Sequence, residues 1–63
     1  MKLEKGIRIR VREVDGTNRS IWGKSGEILA AVDMASFTDY LVRLDCNEEP
    51  IQLADRELEL LLS

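Results

Sequence analysis

Between Gly6 and Arg12 apolar and basic residues alternate without a break: Ile7, Ile9 and Val11 take one set of positions, Arg8, Arg10 and Arg12 the other. Successive side chains of a β-strand point to opposite faces, so this spacing puts three aliphatic groups on one face and three guanidinium groups on the other. On a helix the same residues would spread around the whole circumference and leave no face to bury. Residues 6–12 therefore read as a strand with one wet face, which needs further strands to cover its apolar side. Only 63 residues are available to build that cover. A chain of this size buries roughly 60% of its unfolded surface, so its core is small and its stability marginal or borrowed from a partner. With 44% apolar residues it is a globular chain and not a disordered one.

The remaining elements follow from turn formers and alternation. Asp15, Gly16, Thr17 and Asn18 form a turn-rich cluster. Gly23 and Gly26, three apart just after Trp22, predict a tight turn with positive φ. Residues 27–32 read as a second strand, alternating less cleanly and more covered than the first. Residues 33–39 are a loop, despite apolar Met34 and Phe37. A third strand at 40–44 turns Tyr40, Val42 and Leu44 inward and Arg43 outward. The turn at 45–49 leads into a short strand at 50–53, with Pro50 at its start or on an edge. Residues 54–63 are rich in helix formers. After four strands, a single turn at 55–57 and a closing strand at 58–60 fit them better.

Five short strands without repeats or linkers predict a single all-β domain over residues 1–63. Its expected form is a small five-stranded barrel with a short helical turn before the last strand. Closure of the sheet would remove edges that an open meander of this size leaves exposed.

The residues that build these strands carry a resemblance. Gly6-Ile7-x-Ile9-x-Val11, Gly23-x-x-Gly26-x-Ile28, Tyr40-Leu41-Val42-Arg43-Leu44-Asp45, Ile51-x-Leu53 and Glu57-Leu58-Glu59 follow one another in an order that resembles the small bacterial SH3-like barrels. That superfamily includes KOW-type modules of ribosomal and transcription proteins. It also includes small accessory subunits of photosystem I and of ferredoxin-thioredoxin reductase. The resemblance runs from Gly6 to about Leu60 and consists mostly of barrel-building residues. It implies an SH3-like barrel that works as an accessory subunit or as an RNA-binding module. The paired glycines resemble the KOW turn, whereas the first loop, residues 13–21, is longer than in a compact KOW module.

Catalytic readings fail for want of the groups that catalysis uses. The chain has no histidine, so the usual general base near neutral pH and most zinc sites are missing. Cys46 lies among Asp45, Glu48 and Glu49, whose charge disfavours the thiolate, and it reads as a turn or core residue. A single cysteine also excludes an internal disulfide. A calcium loop at Asp45, Asn47, Glu48 and Glu49 fails because Pro50 stands where such a loop needs glycine. Gly23-Lys24-Ser25 is no phosphate-binding loop, since Asn18 stands where the earlier glycine belongs and a strand follows. The reading is therefore no enzyme, no metal and no cofactor. No apolar run approaches the ~20 residues of a membrane span, and no signal segment opens the chain, so a cytoplasmic domain without membrane contact is expected.

Charge distribution supplies the candidate site. Residues 1–24 hold seven bases and three acids, a balance of +4; residues 25–63 hold two bases and nine acids, a balance of -7. Arg8, Arg10 and Arg12, extended by Arg19 and Lys24, form a basic stripe suited to phosphate or an acidic partner. The alternative is that these arginines pair across strands with Glu27, Glu57 or Glu59. Trp22 is either an exposed anchor for a partner or a plug for one end of the barrel beside Phe37 or Tyr40. Three aromatic residues are too few to line a trough for proline-rich peptides. The expectation is a non-catalytic protein-protein module, an accessory or regulatory subunit. A KOW-type nucleic-acid module is the second reading, set against a net charge of -3. Leu61 and Leu62, on opposite faces of the last strand, add the prospect of a homo-oligomer.

Overall fold

A computed structural model describes residues 3–61. Five antiparallel strands form one sheet: β1 (Arg8–Val11), β2 (Ser25–Asp33), β3 (Thr38–Leu44), β4 (Ile51–Ala54) and β5 (Leu58–Leu60). Their order across the sheet is β4-β3-β2-β1-β5, so four strands run as a meander and the fifth returns beside the first. Short 3-10 turns at Arg19–Ile21 and Asp55–Glu57 interrupt the β1–β2 loop and the β4–β5 connection. The all-β class, the closing strand and the helical turn before it therefore hold, and the helical alternative for the tail does not. No ladder joins β4 to β5 among the described residues, so hydrogen bonds do not close the sheet. Leu62 lies outside the described residues, and with it half of the expected terminal apolar pair.

Alternation predicts the core well. Ile9 and Val11 of β1, Tyr40, Val42 and Leu44 of β3, Leu53 of β4 and Leu58 of β5 are buried around Ile28 of β2. Each of these positions is two residues from its neighbour on the same strand, so every strand turns one face inward. The Tyr40 hydroxyl accepts a hydrogen bond from the backbone N–H of Leu3 at 3.1 Å, which satisfies the one polar atom of this set. Pro50 directly precedes β4, which is an edge strand, as its missing N–H requires.

Strand β2 departs from the sequence reading. It is longer than residues 27–32, and β3 begins at Thr38, so the loop between them shrinks to residues 34–37. The register slips between Ile28 and Ala30: Ile28 faces Val42, but Ala30 faces Leu41 and Ala31 faces Tyr40. One extra residue on β2 reverses the facing of everything after it. The far half of β2 is in consequence less covered than expected, with Ala30 and Ala31 exposed.

The glycine pair also divides its roles. Gly23 has φ +76° and makes the turn, whereas Gly26 sits inside β2 opposite Leu44, without a positive φ. A Cβ at Gly26 would lie 2.3 Å from the Arg43 carbonyl oxygen and 2.8 Å from the Leu44 Cα. Gly26 is therefore required by the close approach of β3, which the turn reading missed.

Candidate functional site

Strand order decides what the arginines of β1 meet. Strand β1 lies between β2 and β5, so its outward guanidinium groups have acids on both sides. Arg10 is opposite Glu59 of β5 and forms an ion pair with it, as the pairing alternative predicts. Arg43 and Glu27, opposite each other on β3 and β2, form a second pair. Arg8 is directly opposite Glu27, yet its guanidinium reaches past to Asp45, Nη1 donating to Oδ1 at 3.0 Å and Nη2 to Oδ2. Asp45 is not among the acids the sequence reading offers; its backbone N–H is tied to the Ser25 carbonyl, which holds it beside β2. The hydrogen bond from Arg8 holds the Asp45 carboxyl below its ordinary value, and the same contact raises Arg8.

The outer face is thus a lattice of three cations and three anions, neutral as a whole. These exposed pairs cancel charge more than they add stability. Two of the three, Arg8–Asp45 and Arg10–Glu59, join the basic first part of the chain to the acidic second part. Along this face they offset two charges of each part, so the sequence asymmetry of +4 against -7 falls to +2 against -5. Glu57, the third acid offered to the arginines, is engaged elsewhere. Its Oε2 accepts from the Thr17 hydroxyl at 2.6 Å and its Oε1 from the Ala54 N–H at 2.9 Å.

Three cations of the predicted stripe stay outside the lattice. Arg12, Arg19 and Lys24 form no ion pair among the described residues. The backbone gathers two of them at the end of β1. Val11 and the Gly23–Lys24 segment exchange hydrogen bonds, Val11 N–H to the Lys24 carbonyl and Gly23 N–H to the Val11 carbonyl, both at 2.9 Å. On the other side the Arg12 N–H donates to the Glu57 carbonyl at 2.8 Å. An open groove of about 440 Å3 runs over this end between Arg10, Arg12, Val14 and Gly23.

Trp22 is half-buried and belongs neither to the core nor to the side chains packed against it. Its indole N–H donates to the Thr17 carbonyl at 3.2 Å, and the Arg19 guanidinium carbon lies 5.5 Å from the ring centroid. The plug reading paired it with Phe37 or Tyr40; Phe37 is exposed and Tyr40 sits in the core without it. Instead Trp22 holds the long β1–β2 loop together. Asn18 caps the 3-10 turn by accepting from the Ser20 N–H at 3.0 Å, and this turn brings Arg19 and Trp22 side by side. Thr17, buried between Trp22 and Glu57, is a polar residue that alternation has no means to find.

Cys46 is exposed in the β3–β4 turn. Among the described residues no three histidine, cysteine, aspartate or glutamate side chains converge where a metal ion would sit. No described helix is long and apolar enough to cross a membrane. A second groove, of about 520 Å3, lies between the start of β3 and the Asp55–Glu57 turn, where Phe37 is 55% exposed. The sequence reading placed Phe37 in a polar loop and offered it as a neighbour of Trp22, not as the wall of a groove. No protein-family profile, curated protein or solved structure matches the chain.

Proposed function

We propose that this chain is a non-catalytic protein-protein interaction module of the cytoplasm, an accessory or regulatory subunit that docks on an acidic surface of a larger partner. The observation that carries the reading is the cluster left over after the lattice has formed. Arg12 and Lys24 flank the β1 end without ion partners among the described residues, next to a loop on which Arg19 covers Trp22. Cations not neutralised by their own protein attract anionic groups and speed association. An indole clamped at both its ring face and its N–H is a rigid anchor that loses little entropy on binding.

The fold proposed with this function is an SH3-like barrel. It is supported by the strand order β4-β3-β2-β1-β5, the 3-10 turn before β5 and the bend that the bulge introduces in β2. The nucleic-acid reading draws on the same cations, but three arginines, including Arg8 and Arg10, already have carboxylate partners.

Affinity capture of the tagged domain from its native lysate, with and without nuclease, tests the function. Wild type is compared with the double variant Arg12→Glu, Lys24→Glu. The expected result is a discrete protein partner that survives nuclease and is lost by the variant. Equal capture by the variant, or no captured protein, overturns the proposal. Capture that disappears with nuclease and falls steeply with salt transfers the cations to nucleic acid.

A further inference from the structure

The two most exposed large apolar side chains of the described sheet and loops, Phe37 at 55% and Met34 at 46%, stand together at the β2–β3 hairpin. The Met34 N–H donates to the Phe37 carbonyl at 2.8 Å, so the hairpin backbone closes on itself and holds both side chains out. Phe37 forms one wall of the 520 Å3 groove, with Thr38 and Asp39 beside it and Ala54, Asp55 and Arg56 opposite. Its floor is rigid, because Asp39 and Ala54 are register partners on β3 and β4.

The charges along this groove are not internally balanced. Asp39 Oδ2 accepts from the Gln52 amide at 2.8 Å, but its Oδ1 is buried and accepts no hydrogen bond among the described residues. A buried acceptor left without a donor is costly. Arg56, the one cation of the groove, is turned elsewhere: a Cβ on Gly16 would sit 3.6 Å from its Nη2, so its head group rests on the β1–β2 loop. Neither Asp39 nor Asp55 is in an ion pair among the described residues. An exposed phenyl ring thus stands next to carboxylates that pair with no cation among the described residues.

We infer that this groove is a second docking site, and that its occupant is a peptide segment of a partner protein in which a large apolar side chain neighbours a lysine or arginine. The apolar side chain packs on Phe37 and Ala54, removing apolar surface from water. The cation lies along Asp39 and Asp55, whose carboxylates form no ion pair among the described residues. An acidic occupant is repelled by both carboxylates. This inference does not rest on the cluster at Arg12 and Lys24, which selects the opposite charge.

An array of capped synthetic hexapeptides, probed with the labelled full chain, tests it. The expected outcome is retention of peptides enriched in lysine or arginine next to leucine, isoleucine, phenylalanine or methionine. Phe37→Ser should weaken their binding about tenfold, the loss of one anchor. Asp39→Asn should weaken it about threefold or more, and Arg12→Glu with Lys24→Glu should leave it intact. Phe37 is exposed, so its replacement does not remove core, and an unchanged Trp22 emission reports that each variant has folded. The inference is overturned by an array that retains nothing, by retained peptides without that enrichment, or by indifference to both Phe37→Ser and Asp39→Asn. A dimer in sedimentation that Phe37→Ser dissolves also overturns it, since the groove is then covered by a second copy.

Discussion

Replacing Gly26 with alanine isolates the one position where two strands approach more closely than a side chain allows. The added methyl would meet the Arg43 carbonyl oxygen at 2.3 Å, the Arg43 carbonyl carbon at 2.9 Å and the Leu44 Cα at 2.8 Å. All three are backbone atoms of β3, so no side chain can swing away and the ladder itself must move. Overpacking of a fitted interior costs about 1–3 kcal/mol and occasionally more. The lost chain entropy of glycine returns about 0.5–1 kcal/mol in the other direction. With backbone atoms at all three contacts the upper end of the cost applies, and a net loss of about 2 kcal/mol follows. A domain of this length is stable by about 3–9 kcal/mol, so the variant gives up a large share of it. The expected fall in Tm is about 8–16 °C. Trp22, the single tryptophan, reports the transition in urea and in heat without a label. Gly23→Ala is the matched control. Its Cβ would meet nothing within 4 Å, and its cost is confined to φ +76°, about 1 kcal/mol. A Gly26→Ala protein as stable as wild type, or more stable than Gly23→Ala, refutes the close-approach argument.

Ile28→Ala, at a wholly buried centre of the core, should cost about 2–5 kcal/mol in urea titration, while Leu60→Ala, 42% exposed at the end of β5, should cost under about 1 kcal/mol; similar losses would mean the core is not where burial puts it. Thr17→Val removes the hydroxyl that Glu57 accepts and should cost about 1–2 kcal/mol, with a shift in Trp22 emission that Thr17→Ser restores. The acid limb of the stability curve carries the Arg8–Asp45 contact. Asp45 is held below its ordinary value in the folded state, so its contribution is present above the unfolded carboxylate value of about 3.9 and is lost as pH falls through the folded one. Wild type and Asp45→Asn should therefore converge at low pH and separate above about pH 4, by less in high salt; parallel curves would refute the contact.

What the sequence determined by itself is the set of faces. The strict alternation of residues 7–11 settles which side chains of β1 are buried, and the same rule finds Tyr40, Val42 and Leu44 on β3 and an exposed Arg43. Turn chemistry likewise finds Pro50 ahead of an edge strand and the short turn that delivers β5. These features are local, and a strand's facing depends only on its own period of two. Neighbours are another matter. That Arg8 finds Asp45, 37 residues away, follows from β2 lying between β1 and β3, and that Glu57 turns to Thr17 and leaves the arginines follows from β5 returning beside β1. The bulge between Ile28 and Ala30 changes which residues of β2 are covered, although its sequence shows no break. Gly26 is glycine because of a β3 backbone that no pattern around it announces. Phe37, Asp39 and Asp55 line one groove only once β3 and the turn after β4 lie side by side. Periodicity records how a residue stands relative to water, whereas pairing between distant segments is decided by packing and register, which exist only in the folded chain.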